Sequence, residues 1–319
     1  MSITIIISYF NPEGKQNSSF QMLKETIKSV RNQTENFDHE IIICDDGSRC
    51  NKNVFTDNGI SIKTKVELEN NPDFEDLEFD KYLYHHTDRY QRANLWKKAI
   101  DISINENLVF LDDDTAFLKQ NSMKLYEKYF KFYSYIKGRC IGFTGMPHLY
   151  SDTRVQGANF GIKKNLINTI GCFSDFIYDD SFGDDDDLTY KVYKYISSNN
   201  EGHKACYAGD IIIQNCASSR WHSGKKDKDE RGEIFNKKFK EEHGIHDNYN
   251  MGSRNKRLWL EFPSWRARLM EHYYKFIYFG KMRLGWKDIF RYKELGSNAR
   301  NENKIYHRLK NTSFRKILG

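Results

Sequence analysis

Two β-branched runs with an amphipathic segment between them constrain this chain more than any other feature. Ile3–Ser8 (Ile-Thr-Ile-Ile-Ile-Ser) has no polar alternation, the pattern of a strand buried on both faces. Glu40–Cys44 (Glu-Ile-Ile-Ile-Cys) repeats it. Between them, Met22, Leu23, Ile27 and Val30 fall at helical spacing within Phe20–Asn32. Two doubly buried strands joined by one helix read as a parallel pair linked by a right-handed crossover. The fold class is therefore α/β, with a mostly parallel sheet flanked by helices.

The rest of the chain extends that pattern. Ile60–Leu68 reads as a third strand, Asn70–Asp80 as an irregular acidic stretch, Arg89–Ile104 as a helix and Leu108–Leu111 as a strand. Ser122–Lys137 reads as an aromatic-rich helix, Cys140–Gly145 and Gly157–Ile162 as short strands, and His203–Ile213 as one or two more. From about Gly252 aromatic residues alternate with Arg and Lys, which predicts a helical extension over 251–319. At 319 residues the chain accommodates one large domain, 1–250, plus that extension. Mean hydropathy is −0.77 and no apolar run reaches membrane-spanning length, so a soluble protein is expected. The start lacks a basic n-region and reads as a strand, not a signal peptide. The six cysteines form no CxxC pair, which suits reduced thiols and a cytoplasmic location.

Charge is distributed unevenly. Residues 220–319 hold 25 Lys and Arg against 12 Asp and Glu, a net of +13; residues 1–219 hold 25 against 32, a net of −7. The acidic part contains two dense clusters, Asp112-Asp113-Asp114 and Asp184-Asp185-Asp186-Asp187. Carboxylates packed this closely repel, and burying them is costly unless a positive group sits between them. The first cluster follows Leu108–Leu111 at a strand end, where alternation predicts that Asp112 and Asp114 share one ligand while Asp113 faces elsewhere. A solvated acidic loop is the plainer alternative. The second cluster follows Gly183 and opens an amphipathic stretch; capping and dipole compensation explain one or two acids there, not four. Asp45-Asp46-Gly47-Ser48 closes the second strand, at the edge where open parallel sheets bind nucleotides, although Asp-Gly is also ordinary turn chemistry. Trp221-His222, followed by Lys225 and Lys226, stands past the last strand. A neutral imidazole there suits a Mn²⁺ site and the lysines suit phosphates.

Taken in order, these motifs resemble the GT-A-fold nucleotide-sugar glycosyltransferases, chiefly glycosyltransferase family 2, over about residues 3–245. The resemblance rests on Ile3–Pro12 ending in Tyr-Phe-Asn-Pro, on the Asp-Asp-Gly-Ser loop, on Arg92–Asn94 and on Phe110–Asp114 as a DXD element. It continues with Gly171-Cys172-Phe173 and Gly183–Leu188. Gly-Asp-Asp-Asp-Asp-Leu and Trp221-His222-Ser223 are similar to stretches of the β-1,4-galactosyltransferases. The resemblance implies a Rossmann-like mixed sheet with a nucleotide-sugar-binding half, about 1–115, and an acceptor-binding half, about 116–250. It implies inverting, metal-dependent sugar transfer from a nucleotide-sugar, UDP-linked, to a hydroxyl of a glycan, lipid-linked or protein acceptor in glycan biosynthesis.

Roles follow residue by residue from the same resemblance. Asp185 would be the general base. Asp112, Asp114 and His222 would hold Mn²⁺ or Mg²⁺. Asp45 and Asp46 would meet the nucleobase, and Tyr9, Asn11, Pro12, Arg92 and Asp113 would line the donor site. Lys225 and Lys226 would touch its phosphates, while Asp184 and Trp221 would meet the acceptor. Asp184 stands where the family usually has Glu, and the Arg92 region is less rich in glycine and alanine than usual. Two other classes use acidic clusters: a Mg²⁺-dependent nucleotidyltransferase or phosphoryl-transfer enzyme, and a non-catalytic divalent-cation or polyanion-binding module. The first usually carries a Gly/Lys/Arg-rich loop after strand one, and Asn11–Ser19 holds only Gly14 and Lys15; the second would want EF-hand spacing, which Asp184–Asp187 lacks. The basic aromatic extension reads as a helical cap, a homodimer interface or a peripheral contact with an anionic membrane. No nucleic-acid partner is expected.

Overall fold

The structure is a computed structural model. It describes residues 2–11, 18–33, 39–48, 51, 53–55, 59–85, 91–141, 158–180, 183–198, 202–215, 225–245, 260–270 and 273. Nine strands form one sheet in the order β3-β4-β2-β1-β5-β8-β7-β9-β6. They are β1 (Ile3–Tyr9), β2 (His39–Asp45), β3 (Ile60–Thr64), β4 (Lys81–His85), β5 (Asn107–Asp112), β6 (Thr115–Phe117), β7 (Tyr135–Ile141), β8 (Phe160–Lys163) and β9 (Ala205–Asn215). The helices are α1 (Ser18–Arg31), α2 (Lys65–Leu68), α3 (Arg92–Ile102), α4 (Ser122–Phe130), α5 (Lys164–Thr169), α6 (Asp175–Asp180), α7 (Asp184–Ser198) and α8 (Lys225–His243).

β1 pairs in parallel with β2 and with β5, and β2 with β4, so the expected crossover is present. β8 runs antiparallel to β5 and β7, while β9 runs parallel to β7. The α/β class and the mostly parallel, helix-flanked sheet are as expected. Alternating side chains feed two cores. Ile5, Ile7, Ile41, Ile43, Val109 and Leu111 pack with Leu23 and Ile27 of α1 and with Tyr126 and Phe130 of α4. Ile6, Ile42, Leu108 and Phe110 pack with Trp96 of α3, Leu188 and Val192 of α7 and Phe235 of α8. Asp112 continues the phase of Leu108 and Phe110, so it stands on the α3 and α7 face. The register aligns Ser8 with Cys44 and with Asp112, and Tyr9 with Asp45, placing the carboxylate motifs on one sheet edge.

Two predicted elements differ, and one strand has no predicted counterpart. Ile60–Leu68 is a strand only to Thr64, whose side chain accepts from the Glu67 amide while Glu67 reaches back to the Thr64 amide. This capping box starts α2 instead of extending the strand. Ser122–Lys137 is not one helix: α4 stops at Phe130, and Tyr135–Ile141 is a central strand, because Tyr135 and Ile136 are fully buried between β8 and β9. β4 was not anticipated, since Lys81-Tyr82-Leu83-Tyr84-His85 hides its apolar face in aromatic residues. The Cys140–Gly145 strand is described only to Ile141, and the extension only at 260–270 and 273, where 265–270 is helical.

Candidate active site

Arg92 organises the site. It is the first residue of α3, which packs on β1, β2 and β4, so its side chain leaves the helix at the carboxylate edge. Nε donates to Asp184 Oδ2 at 2.6 Å, and Nη2 to Asp184 Oδ1 at 2.5 Å and to Asp185 Oδ1 at 2.7 Å. Nη1 lies 3.7 Å from Asp112 Oδ1. One guanidinium therefore gathers acids from β5 and from the first turn of α7. It is itself seated 4.8 Å from the centre of the Trp96 ring one turn along α3, and Trp96 Nε1 donates to Ser8 Oγ. The two acidic clusters are thus one electrostatic unit, with the positive group their density demands.

The four aspartates of α7 divide the work. Asp184 is 3 % exposed and faces Arg92 with both oxygens. Asp185 keeps 30 % of its side chain exposed. Burial of its inner part raises its pKa well above the usual carboxylate range; Arg92 opposes that rise, and Asp184, Asp112 and Asp186 add to it. Asp187 is fully buried and accepts from the Ser174 amide and hydroxyl, each at 2.8 Å, and contacts His243 Nε2 at 2.9 Å. It ties α7 to α6 and to the end of α8. Gly183 opens the helix at φ +75°, and a Cβ there would penetrate the Phe235 ring of α8, so only glycine fits.

Asp112 ends β5, and Asp113 and Asp114 form the turn into β6, so the strand alternation invoked for Asp112 and Asp114 does not operate; a turn sets their directions instead. Thr26 of α1 donates to the carbonyls of Asp113 and Thr115 and pins that turn. Asp113 is buried against the Phe10 amide at 3.4 Å, and its own amide donates to Ser8.

Asp45 is fully buried and accepts from the Ser48 amide, Asn51 Nδ2 and the Tyr82 hydroxyl at 2.6 to 2.8 Å. Burial raises its pKa against those donors. Its described contacts are those of a turn anchor. Asp46 accepts the Gln91 amide on both oxygens, which fastens the second strand to the start of α3; burial pushes its pKa up to about 7. The Asn11 amide donates to Ser48 Oγ, and the Asp46 amide to the Tyr9 carbonyl, knitting the first two loops together. Beside them opens a cavity of about 150 Å³ lined by Tyr9, Phe20, Lys24, Asn51, Phe74 and Tyr82. It shares Tyr9 with the acidic edge but none of its carboxylates.

Arg92, Asp112, Asp184 and Asp185 are brought together; Asp46 and Gln91 adjoin them through α3. Pro12, Trp221, His222 and the side chains of Lys225 and Lys226 lie outside the described residues. Trp96, Gln91, Ser174 and His243 were not singled out beforehand. The i, i+4 spacing from Arg92 could have indicated Trp96; nothing local marks His243. Among the described residues no three His, Cys, Asp or Glu side chains gather as a cation site. Asp112 and Asp114 offer two carboxylates, which suits Mg²⁺ or Mn²⁺ when phosphate oxygens and water supply the remaining ligands.

Residues 4–183 match the model of glycosyl transferase family 2, more than half of the chain. The protein belongs to that family, a class of sugar-transferring enzymes. No curated protein matches the chain in sequence. Among solved structures it is similar to S. aureus TarS, at 13 % identity and a TM-score of 0.44, over 67 % of this chain and 35 % of that one. TarS 1-349 in complex with UDP-GlcNAc gives 14 % and 0.43, over 67 % and 56 %. The mannosyltransferase PcManGT from Pyrobaculum calidifontis, in complex with GDP-Man and Mn²⁺, gives 14 % and 0.49, over 80 % and 68 %. The chain spans between a third and three fifths of the length of the TarS chains it matches.

Proposed function

We propose that this protein is an inverting, metal-dependent glycosyltransferase that moves a sugar from a nucleotide-sugar, UDP-linked, to a hydroxyl of a glycan, lipid-linked or protein acceptor. The observation that carries the reading is the Arg92 junction, which holds a partly exposed carboxylate on α7 beside the strand-end carboxylate of β5. Ionised Asp185 accepts the proton of the acceptor hydroxyl as that oxygen attacks the anomeric carbon. The bond from that carbon to the diphosphate oxygen breaks, and its electron pair leaves with the nucleoside diphosphate. One base opposite one leaving group gives inversion. The raised pKa of Asp185 makes it a stronger base than an ordinary aspartate, and Arg92 opposes that rise by favouring the ionised form. Asp112 and Asp114, with His222, would hold Mn²⁺ or Mg²⁺, which when bound neutralises charge on the departing diphosphate. Lys225 and Lys226 add to that neutralisation. Residues 1–115 would form the donor half and 116–250 the acceptor half; Asp184, expected to meet the acceptor, is buried with both oxygens on Arg92 and instead holds that guanidinium in place.

Asp185→Asn separates chemistry from binding. We expect turnover to fall by about 10²–10⁴-fold with calorimetric affinity for UDP and Mn²⁺ nearly unchanged; full activity would remove Asp185 as the base. Asp114→Ala should instead abolish metal-dependent UDP binding. A hydrolysis screen across UDP-, GDP- and dTDP-sugars identifies the donor, and pyrophosphate release from a nucleoside triphosphate would favour nucleotidyl transfer instead.

A further inference from the structure

Beyond the family-matched region, residues 260–270 attach to the sheet in a fixed orientation. The Glu261 amide donates to the Ala205 carbonyl, and the Tyr207 amide to the Glu261 carbonyl, which adds a short parallel bridge to β9. Ser264 lies 3.2 Å from the Tyr129 hydroxyl, itself bonded to buried Asp210. Ala267 is fully buried and Met270 packs against Ile212. Ser264, Ala267 and Met270 define the inward face of the 265–270 helix. The opposite face is apolar yet exposed: Trp265 is 77 %, Leu269 54 %, Tyr273 53 % and the preceding Phe262 39 % accessible. Trp265, Leu269 and Tyr273 recur every four residues and form one stripe. At about 100° per residue, exposed Arg268 and Arg266 flank that stripe on either side.

We infer that this face docks on an anionic lipid surface, through interfacial burial of Trp265, Leu269 and Tyr273 and charge pairing of the flanking arginines. A Trp and a Tyr beside a Leu are the side chains that settle at the headgroup boundary, and basic residues beside them select anionic lipid. Charge decides between a membrane and a second copy of the chain. Residues 254–319 contain 17 Lys and Arg against 5 Asp and Glu, a net of +12. A two-fold contact across the stripe would set that charge against itself, whereas phosphate headgroups neutralise it. No helix among the described residues is long and apolar enough to cross a membrane. The inference does not depend on the transfer reaction, and its test uses no donor.

Co-sedimentation of the full chain with phosphatidylcholine vesicles, with and without phosphatidylglycerol, tests it. We expect binding only with the anionic lipid and weakened by salt. Trp265→Ser with Leu269→Ser should reduce it about ten-fold or more, and Arg266→Gln with Arg268→Gln should remove the preference for anionic lipid. Thermal unfolding of both variants should match the parent, because the replaced side chains are exposed. Failure to bind anionic vesicles, or binding unaltered by Trp265→Ser with Leu269→Ser, overturns the inference. So does a lipid-free dimer that this variant converts to monomer, which would assign the stripe to a second copy. A large loss of thermal stability would show the chain covering the stripe itself, and would overturn it as well.

Discussion

A guanidinium shared by three carboxylates sets both the stability and the proton affinity of this site. Arg92→Gln would leave Asp184 buried without its cation, which costs about 3–5 kcal/mol and should appear as a lowered midpoint in urea unfolding. It should also move the acid limb of the pH–turnover profile to higher pH. Arg92 lowers the pKa of Asp185, so its loss raises that pKa and delays ionisation of the base. An unmoved limb would separate Arg92 from Asp185. Asp46 gives a second test at the same scale. Its pKa rises from 3.8 to about 7 in the folded protein, chiefly through burial. The unfolded chain therefore loses this proton first. The stability that Asp46 contributes is complete below about pH 4, declines as pH rises and is gone above about 7. Three pKa units correspond to about 4 kcal/mol. Asp46→Asn keeps an oxygen for the Gln91 amide and removes the titration. Between pH 4 and 7 its melting temperature should fall less steeply than that of the parent, and an identical slope would exclude Asp46 as the titrating group.

At the level of elements, the site depends on how α7 begins. Gly183 turns the chain at positive φ under the Phe235 ring, and Asp187 fastens the same turn to Ser174 and His243. Gly183→Ala combines an unfavourable φ with a steric overlap and should cost about 2–4 kcal/mol. Trimming the ring in Gly183→Ala with Phe235→Leu should recover the steric part only, measurable as a coupling energy in a double-mutant cycle. Sequence periodicity identified β1, α1, β2, α3 and β5 because each buries a regular apolar pattern. It failed where a local device overrode the pattern. The Thr64–Glu67 capping box ended a strand early, and the aromatic run from Ser122 to Lys137 served a helix and then a buried strand. That the α7 aspartates have separate partners was not legible at all. Their partners Arg92, Ser174 and His243 are brought to them only by tertiary packing.

Across the whole molecule, the carboxyl edge of the parallel strands was legible because crossover handedness and register follow from the strand pattern. Which surface residues 260–270 would cover was not legible, because the contact joins them to Ala205–Tyr207 by backbone groups that carry no side-chain signature. That contact matters for the sheet as a whole: β6 pairs only with Ile213–Asn215 at the end of β9, so the first half of β9 relies on Glu261 for its outer hydrogen bonds. Glu261→Pro removes one donor and leaves the Ala205 carbonyl without it, an edge carbonyl that water can reach once the segment lifts. The global melting temperature should change little, since neither core contains Glu261. Native-state hydrogen exchange should instead show the Tyr207 amide, which donates to Glu261, losing protection by about ten-fold or more, the signature of local opening. The Ile6 and Ile42 amides in the central strands should keep theirs. If Tyr207 stays as protected as the central strands, residues 260–270 are held chiefly by Ala267, Met270 and the Tyr129–Ser264 contact, and the backbone bridge is incidental to their docking.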